Sequence, residues 1–97
     1  MPTVAAGCDP VWNQFTIRVA DGKRDALREH LRSCEIGSEI YYPIPLHLQP
    51  CFAELGYAKG SLPVTEAAAN DVLSLPIFPG LTEAEQARVV EAIAEFL

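Results

Sequence analysis

Histidine and cysteine are scarce in this sequence: His30 and His47 are the two histidines, and the three cysteines stand at positions 8, 34 and 51. No two cysteines lie two residues apart, so the close ligand pairs of a zinc site are not encoded. An odd number of isolated cysteines reads as reduced thiols of a cytosolic protein. Cys51 has no basic neighbour to favour a reactive thiolate. Positive charge is also short, with 7 Lys and Arg against 13 Asp and Glu and a formal net charge of -6. Such a balance argues against coating nucleic acid or an anionic membrane. Long apolar runs are missing. The longest stretch free of Asp, Glu, Lys and Arg, Ile40 to Ala53, carries Pro43, Pro45 and Pro50, which break the helical ladder a membrane span needs. Met1 to Asp9 lacks the charged start and apolar run of a signal peptide. No glycine-rich phosphate loop and no nucleophile elbow occur.

What is present is a globular mixture: 97 residues, 49% hydrophobic and 21% charged. That is enough for one small domain with a modest core, and short for an enzyme that must also house a large cofactor. Residues 1–10 have no periodicity and read as a lead-in segment, leaving residues 11–97 as the domain. Val11 to Val19 alternates, with Val11, Phe15, Ile17 and Val19 on one face, the pattern of a half-buried strand. Asp21-Gly22 marks a turn. Arg24 to Cys34 repeats Leu27, Leu31 and Cys34 at helical spacing. Ile36, Ser38, Ile40 and Tyr42 alternate again as a second strand. Pro50 and Gly56 bracket a short helix. Ser61 and Pro63 open another, with Val64, Ala67, Ala68 and Val72 expected inward. Leu73 to Phe78 reads as an edge strand or extended segment closed by Pro76 and Pro79. Thr82 with Glu85 fits a capping box, and Val90, Ile93, Ala94 and Leu97 are the expected buried stripe of the last helix. This order predicts an α+β fold, a two-layer sandwich with a small antiparallel or mixed sheet and helices on one face.

The chemistry concentrates in Tyr41-Tyr42-Pro43-Ile44-Pro45-Leu46-His47-Leu48-Gln49-Pro50. Prolines hold the preceding residues extended and reduce the entropy cost of ordering side chains. Two phenols, an imidazole and an amide can all hydrogen-bond there. The segment reads either as a binding loop or as a structural loop against a neighbouring domain. Asn13 shares the apolar face of the first strand and needs a polar partner. His30, beside the stripe of the first helix, reads as a core-boundary ring. Lys23 and Lys59 lie in exposed glycine turns, not in an apolar setting suited to Schiff-base chemistry.

Three segments together resemble a known family: Val11-Trp12-Asn13-Gln14-Phe15-Thr16-Ile17-Arg18, the Tyr41 to Pro50 run, and Leu73-Ser74-Leu75-Pro76-Ile77-Phe78-Pro79. They are similar, in order and spacing, to the C-terminal small domain of the DegT/DnrJ/StrS sugar aminotransferases, fold-type I enzymes that use pyridoxal phosphate (PLP). The resemblance runs from about Val11 to Leu97. It implies amino transfer, usually from glutamate, to a keto-sugar carried on a nucleotide, in a cytoplasmic and typically homodimeric enzyme serving polysaccharide or related glycan synthesis. It also implies that the Schiff-base lysine and the PLP cradle belong to a large domain, so that no catalytic, cofactor-binding or metal-binding residue is expected here and the chain alone is expected to be inactive. On the substrate side it points to Tyr42 and His47, with Tyr41, Gln49 and Asn13 behind them. Many members have His-Tyr-Pro where this chain has Tyr41-Tyr42-Pro43, and a His where it has Asp9-Pro10. Two rival readings remain from the residues: a free-standing ligand-binding module, or an interaction subunit that docks on a separate large-domain polypeptide. Exposed apolar surface around Ile44, Leu46, Leu48 and Phe52 would distinguish a domain built to be covered from a self-contained monomer.

Overall fold

The computed structural model describes residues 2–97. In chain order the regular elements are β1 (Phe15–Arg18), α1 (Arg24–Ser33), α2 (Pro63–Asp71), β2 (Val72–Leu75) and α3 (Glu83–Phe96), with tight 3-10 turns at Leu46–Leu48 and Pro50–Leu55. β1 and β2 pair antiparallel, with Ile17 opposite Leu73 and Thr16 opposite Ser74. Ile17 and Leu73 meet in the core, where Leu27 and Leu31 of α1 are fully buried beside them. On the opposite face, the Thr16 and Ser74 hydroxyls share a hydrogen bond of 2.8 Å. The result is a small α+β domain whose helices α1 and α3 cover one face of the sheet.

β1 is shorter than the alternation from Val11 to Val19 predicts. Its partner supplies four residues, and Pro76 then ends the ladder for want of an N–H. Trp12 turns instead onto Phe15, ring centroids 5.3 Å apart, and Val11 stays exposed. The expected second strand, Ile36 to Tyr42, contracts to one bridge, Glu39 with Ser74, closed by N–H to carbonyl bonds of 3.0 and 2.7 Å. The ladder cannot extend on either side of that bridge: Val72 has given its N–H to the Ala68 carbonyl and its own carbonyl to Arg24 at 3.2 Å, and Pro76 has no N–H to offer.

α1 buries the Leu27 and Leu31 stripe as its spacing requires. It stops where Glu35 takes a positive φ of 61°, and Arg88 of α3 donates to the carbonyl of Cys34 at 2.7 Å. Both expected faces of the later helices need correction. In α2 it is Ala69 that is buried, while Val64 is 82% exposed. Polar anchors set the rotation of that helix: Arg24 of α1 donates to the carbonyls of Ala69 and Val72 at 3.0 and 3.2 Å. In α3 the core-facing stripe is buried Ala92 with half-buried Val89, Ile93 and Phe96, while Val90, Ala94 and Leu97 are exposed. The small Ala92 side chain permits close approach of α1, and the His30 ring reaches the Ala92 carbonyl at 2.9 Å. The capping box of α3 forms as read, with Glu85 accepting from the Thr82 N–H and Thr82 accepting from the Glu85 N–H.

The chain is looser than its length warrants. Its radius of gyration is 15.6 Å, against about 12.5 Å for a compact domain of this size. Its accessible surface is 7136 Å², against roughly 5,500 Å² for a folded monomer of this mass.

Candidate functional site: the Tyr41–Gln49 loop and its groove

The loop from Tyr41 to Gln49 is ordered by short-range bonds. Pro45 is extended, at φ -52° and ψ 139°, as a proline ring dictates, and its carbonyl accepts the N–H of Leu48 at 2.9 Å. Gln49 reaches back, donating from Nε2 to the Ile44 carbonyl at 3.2 Å. The turn that follows, Pro50–Leu55, ends on Gly56 at φ 74°, a left-handed conformation that favours glycine.

His47 is buried within this loop, and its Nε2–H donates to Glu66 Oε1 at 3.0 Å. The same carboxylate accepts the Gly60 N–H at 2.8 and 2.9 Å on its two oxygens, and the Leu62 N–H at 3.4 Å. The imidazole N–H above all, with the Gly60 and Leu62 amides, holds the Glu66 carboxyl below its ordinary range, against a smaller upward push from partial burial. Because the carboxylate can only accept, Nε2 is the donor in this bond, and the buried Nδ1 has no hydrogen-bond partner.

Above this clasp lies an open groove of about 550 Å³ walled by Tyr41, Tyr42, Phe52, Leu55, Tyr57 and Leu62. The Tyr41 and Tyr42 rings meet edge to face at 6.2 Å, and the His47 and Tyr57 rings at 6.1 Å. Both phenols of the Tyr41-Tyr42 pair are exposed. The structure thus brings together Tyr41, Tyr42 and His47. Gln49 is placed as a brace of the loop. Asn13 stands apart, exposed, in a second groove of about 700 Å³ with Ser38, Glu39 and Ser74. Tyr41 lines both grooves and divides them. A third, apolar groove of about 620 Å³ runs between Trp12, Phe78, Leu81 and Val90.

Glu66 and Tyr57 are absent from the residues that sequence reasoning singles out. Glu66 had a usable signal, an acid in the first turn of a helix just after a Gly-Ser turn. A carboxylate there can reach back to free backbone N–H groups, the same logic that identifies Glu85.

The site can bind and orient. Its exposed phenols can donate to and accept from hydroxyls and phosphate oxygens. Lys23 and Lys59 are exposed and outside all three grooves. The residues described therefore do not fit a Schiff-base cofactor, which requires an enclosed amine. Among the described residues no cluster of three or more His, Cys, Asp or Glu could hold a metal ion, and no helix is long and apolar enough to cross a membrane.

Comparison with known proteins gives the larger setting. The model of the DegT/DnrJ/EryC1/StrS aminotransferase family matches residues 1–94. A protein of Geobacillus stearothermophilus named pleiotropic regulatory protein is 55% identical over 86 residues, which are 89% of this chain and 23% of that protein. The dTDP-3-amino-3,4,6-trideoxy-alpha-D-glucose transaminase of Streptomyces venezuelae is 43% identical over 96 residues, 99% of this chain and 25% of the transaminase. The crystal structure of S. venezuelae DesV in complex with a ketimine intermediate superposes with a TM-score of 0.90 at 43% identity, covering 98% of this chain and 25% of that one. The chain therefore spans about a quarter of the length of the curated relatives it matches. It belongs to the DegT/DnrJ/EryC1/StrS aminotransferase family, a membership that implies PLP in the full-length enzyme.

Proposed function

We propose that, within this family, the chain works as the substrate-side small domain of a longer PLP-dependent nucleotide-sugar aminotransferase, residues 11–97 forming that domain after a lead-in of residues 1–10. The observation that carries this reading is the match of nearly the whole chain to a quarter of each sugar transaminase, on a fold superposing at a TM-score of 0.90. The three open grooves and the surplus surface agree with it, because a domain that packs on a larger body leaves its contact faces uncovered.

The cofactor supplies the electron sink for amino transfer, and its lysine and phosphate cradle belong to the large domain. Tyr42 and Tyr41 present phenols to the sugar hydroxyls or to the phosphate oxygens of its nucleotide. Asn13 adds an amide from the adjoining groove. Gln49 and His47 hold the loop that carries the phenols. Glutamate is the amino donor, the full enzyme is a cytoplasmic homodimer, and this chain alone has no activity and no PLP site.

The test is to read the gene upstream of the Met1 codon. An in-frame large domain bearing a PLP lysine supports the reading. A stop codon with a genuine start at Met1, and no large-domain partner recovered with the chain, overturns it in favour of a free-standing binding module. Recovery of a separate large-domain polypeptide would move the same role to a two-chain enzyme.

A further inference from the structure

Glu66 has no part in contacting the sugar, yet no other carboxylate among the described residues gathers so many hydrogen bonds. It is the first-turn acid of α2, its side chain is 16% exposed, and it ties together three stretches of chain. From the Tyr41–Gln49 loop it takes the His47 Nε2–H at 3.0 Å. From the turn before α2 it takes the N–H groups of Gly60 and Leu62. Its backbone belongs to the helix that leads directly into β2 and so to the core. The groove walls move with those same stretches: Tyr41, Tyr42 and His47 come from the loop, and Leu62 from the turn. Tyr57 reaches the clasp through its edge contact with the buried His47 ring. Among the described residues no other side chain hydrogen bond joins the Tyr41–Gln49 loop to α2.

We propose that Glu66 is a positioning residue. Through His47, Gly60 and Leu62 it fixes the Tyr41–Gln49 loop against α2 and so sets where the two phenols stand over the groove. The clasp itself is independent of the function proposed above. What the phenols meet rests on that reading.

Charge and geometry both matter to this arrangement. Four hydrogen bonds converge on two oxygens, and every donor is fixed, one imidazole and two backbone amides. A carboxylate accepts all of them. Glutamine in its place keeps one acceptor oxygen, which at the Oε1 position still faces all three donors, but its N–H₂ then meets the Gly60 N–H at the Oε2 position, so the Gly60 tether is weakened. Alanine releases all three. A positioning role therefore predicts graded loosening, Glu66→Ala beyond Glu66→Gln, with His47→Ala adding little to Glu66→Ala because the pair acts as a unit.

The experiment has two arms. In the first, the 97-residue chain is labelled with 3-fluorotyrosine and its fluorine spectrum recorded under conditions where circular dichroism shows wild type and variants equally folded. Three resonances are expected, for Tyr41, Tyr42 and Tyr57. Glu66→Ala shifts and broadens all three, Glu66→Gln does so to a lesser degree, and amide exchange at Gly60 and Leu62 speeds up about tenfold or more as local opening becomes easier. Unchanged tyrosine resonances in folded Glu66→Ala overturn the proposal, since a residue that only adds global stability leaves the folded state's tyrosine environments alone. In the second arm, the same substitutions are placed in the full-length aminotransferase. A rise of about tenfold or more in KM for the nucleotide sugar, with the cofactor absorbance unchanged, supports the clasp as a determinant of the sugar site. Altered tyrosine spectra with unaltered sugar kinetics leave the clasp standing and overturn the substrate-side reading of the loop.

Discussion

His47 engages Glu66 through Nε2 while its Nδ1 is enclosed, an arrangement that braces the loop and leaves the exposed phenols of Tyr41 and Tyr42 over the groove. Glu66 carries the electrostatic consequence. Its carboxyl lies below the ordinary range in the folded chain, so its contribution to stability is fully present above the unfolded value of about 4.3 and is lost as pH falls through the lower folded value. The thermal midpoint of wild type minus that of Glu66→Gln should stay constant from neutral pH down to about pH 5 and shrink below it. A difference that persists undiminished well below the ordinary glutamate range would contradict the clasp. In the core the decisive residue is Leu31, fully buried between α1, the sheet and α3. Leu31→Ala should cost about 2–5 kcal/mol, read as a lower urea midpoint at unchanged slope. That is a large share of the roughly 5–15 kcal/mol available to a domain.

Among the elements, α1 and the start of α3 were legible because one strong signal governs each. Leu27 and Leu31 repeat at helical spacing with charged neighbours, and Thr82 with Glu85 satisfies two free N–H groups reciprocally. Thr82→Ala should therefore lower stability by about 1 kcal/mol, with the loss seen first as faster amide exchange in the opening turn of α3. The buried face of α3 was not legible from spacing. Val89 and Val90 start two adjacent apolar stripes, and tertiary contact, through the small Ala92 against His30, selects the first. Alternation likewise predicts more strand than forms at Ile36 to Tyr42, because it does not register that Val72 has already spent its N–H and carbonyl elsewhere and that Pro76 has no N–H. The loop from Tyr41 to Pro50 was legible as an ordered segment, stiffened by its prolines and carrying exposed phenols. Its anchor was not, since an acid on a helix reads by default as a solvated face and the partner lies 19 positions away in sequence.

At the scale of the whole molecule, the grooves have one common property, which is that they are open. Ile44, Leu46 and Phe52 of the expected apolar patch are exposed, Leu48 is half-buried, and Trp12, Phe78 and Val90 form a second exposed apolar face. The surplus over a compact monomer, 7136 Å² against roughly 5,500 Å², is comparable to two sides of a standard interface at about 800 Å² each. The isolated chain should bind a hydrophobic dye and self-associate in sedimentation at raised concentration, and Trp12→Ser with Val90→Ser should reduce both. A dye-negative, monomeric chain would mean that these faces close on themselves.

We propose that this chain orders a phenol-bearing loop for a sugar substrate whose chemistry is performed by a larger PLP-bearing body. Steady-state kinetics of Tyr42→Phe in the full-length aminotransferase tests it most directly. The account predicts a rise of about tenfold in KM for the nucleotide sugar, with glutamate saturation and the cofactor absorbance unchanged. Kinetics for both substrates equal to wild type would contradict it and leave the loop as scaffold.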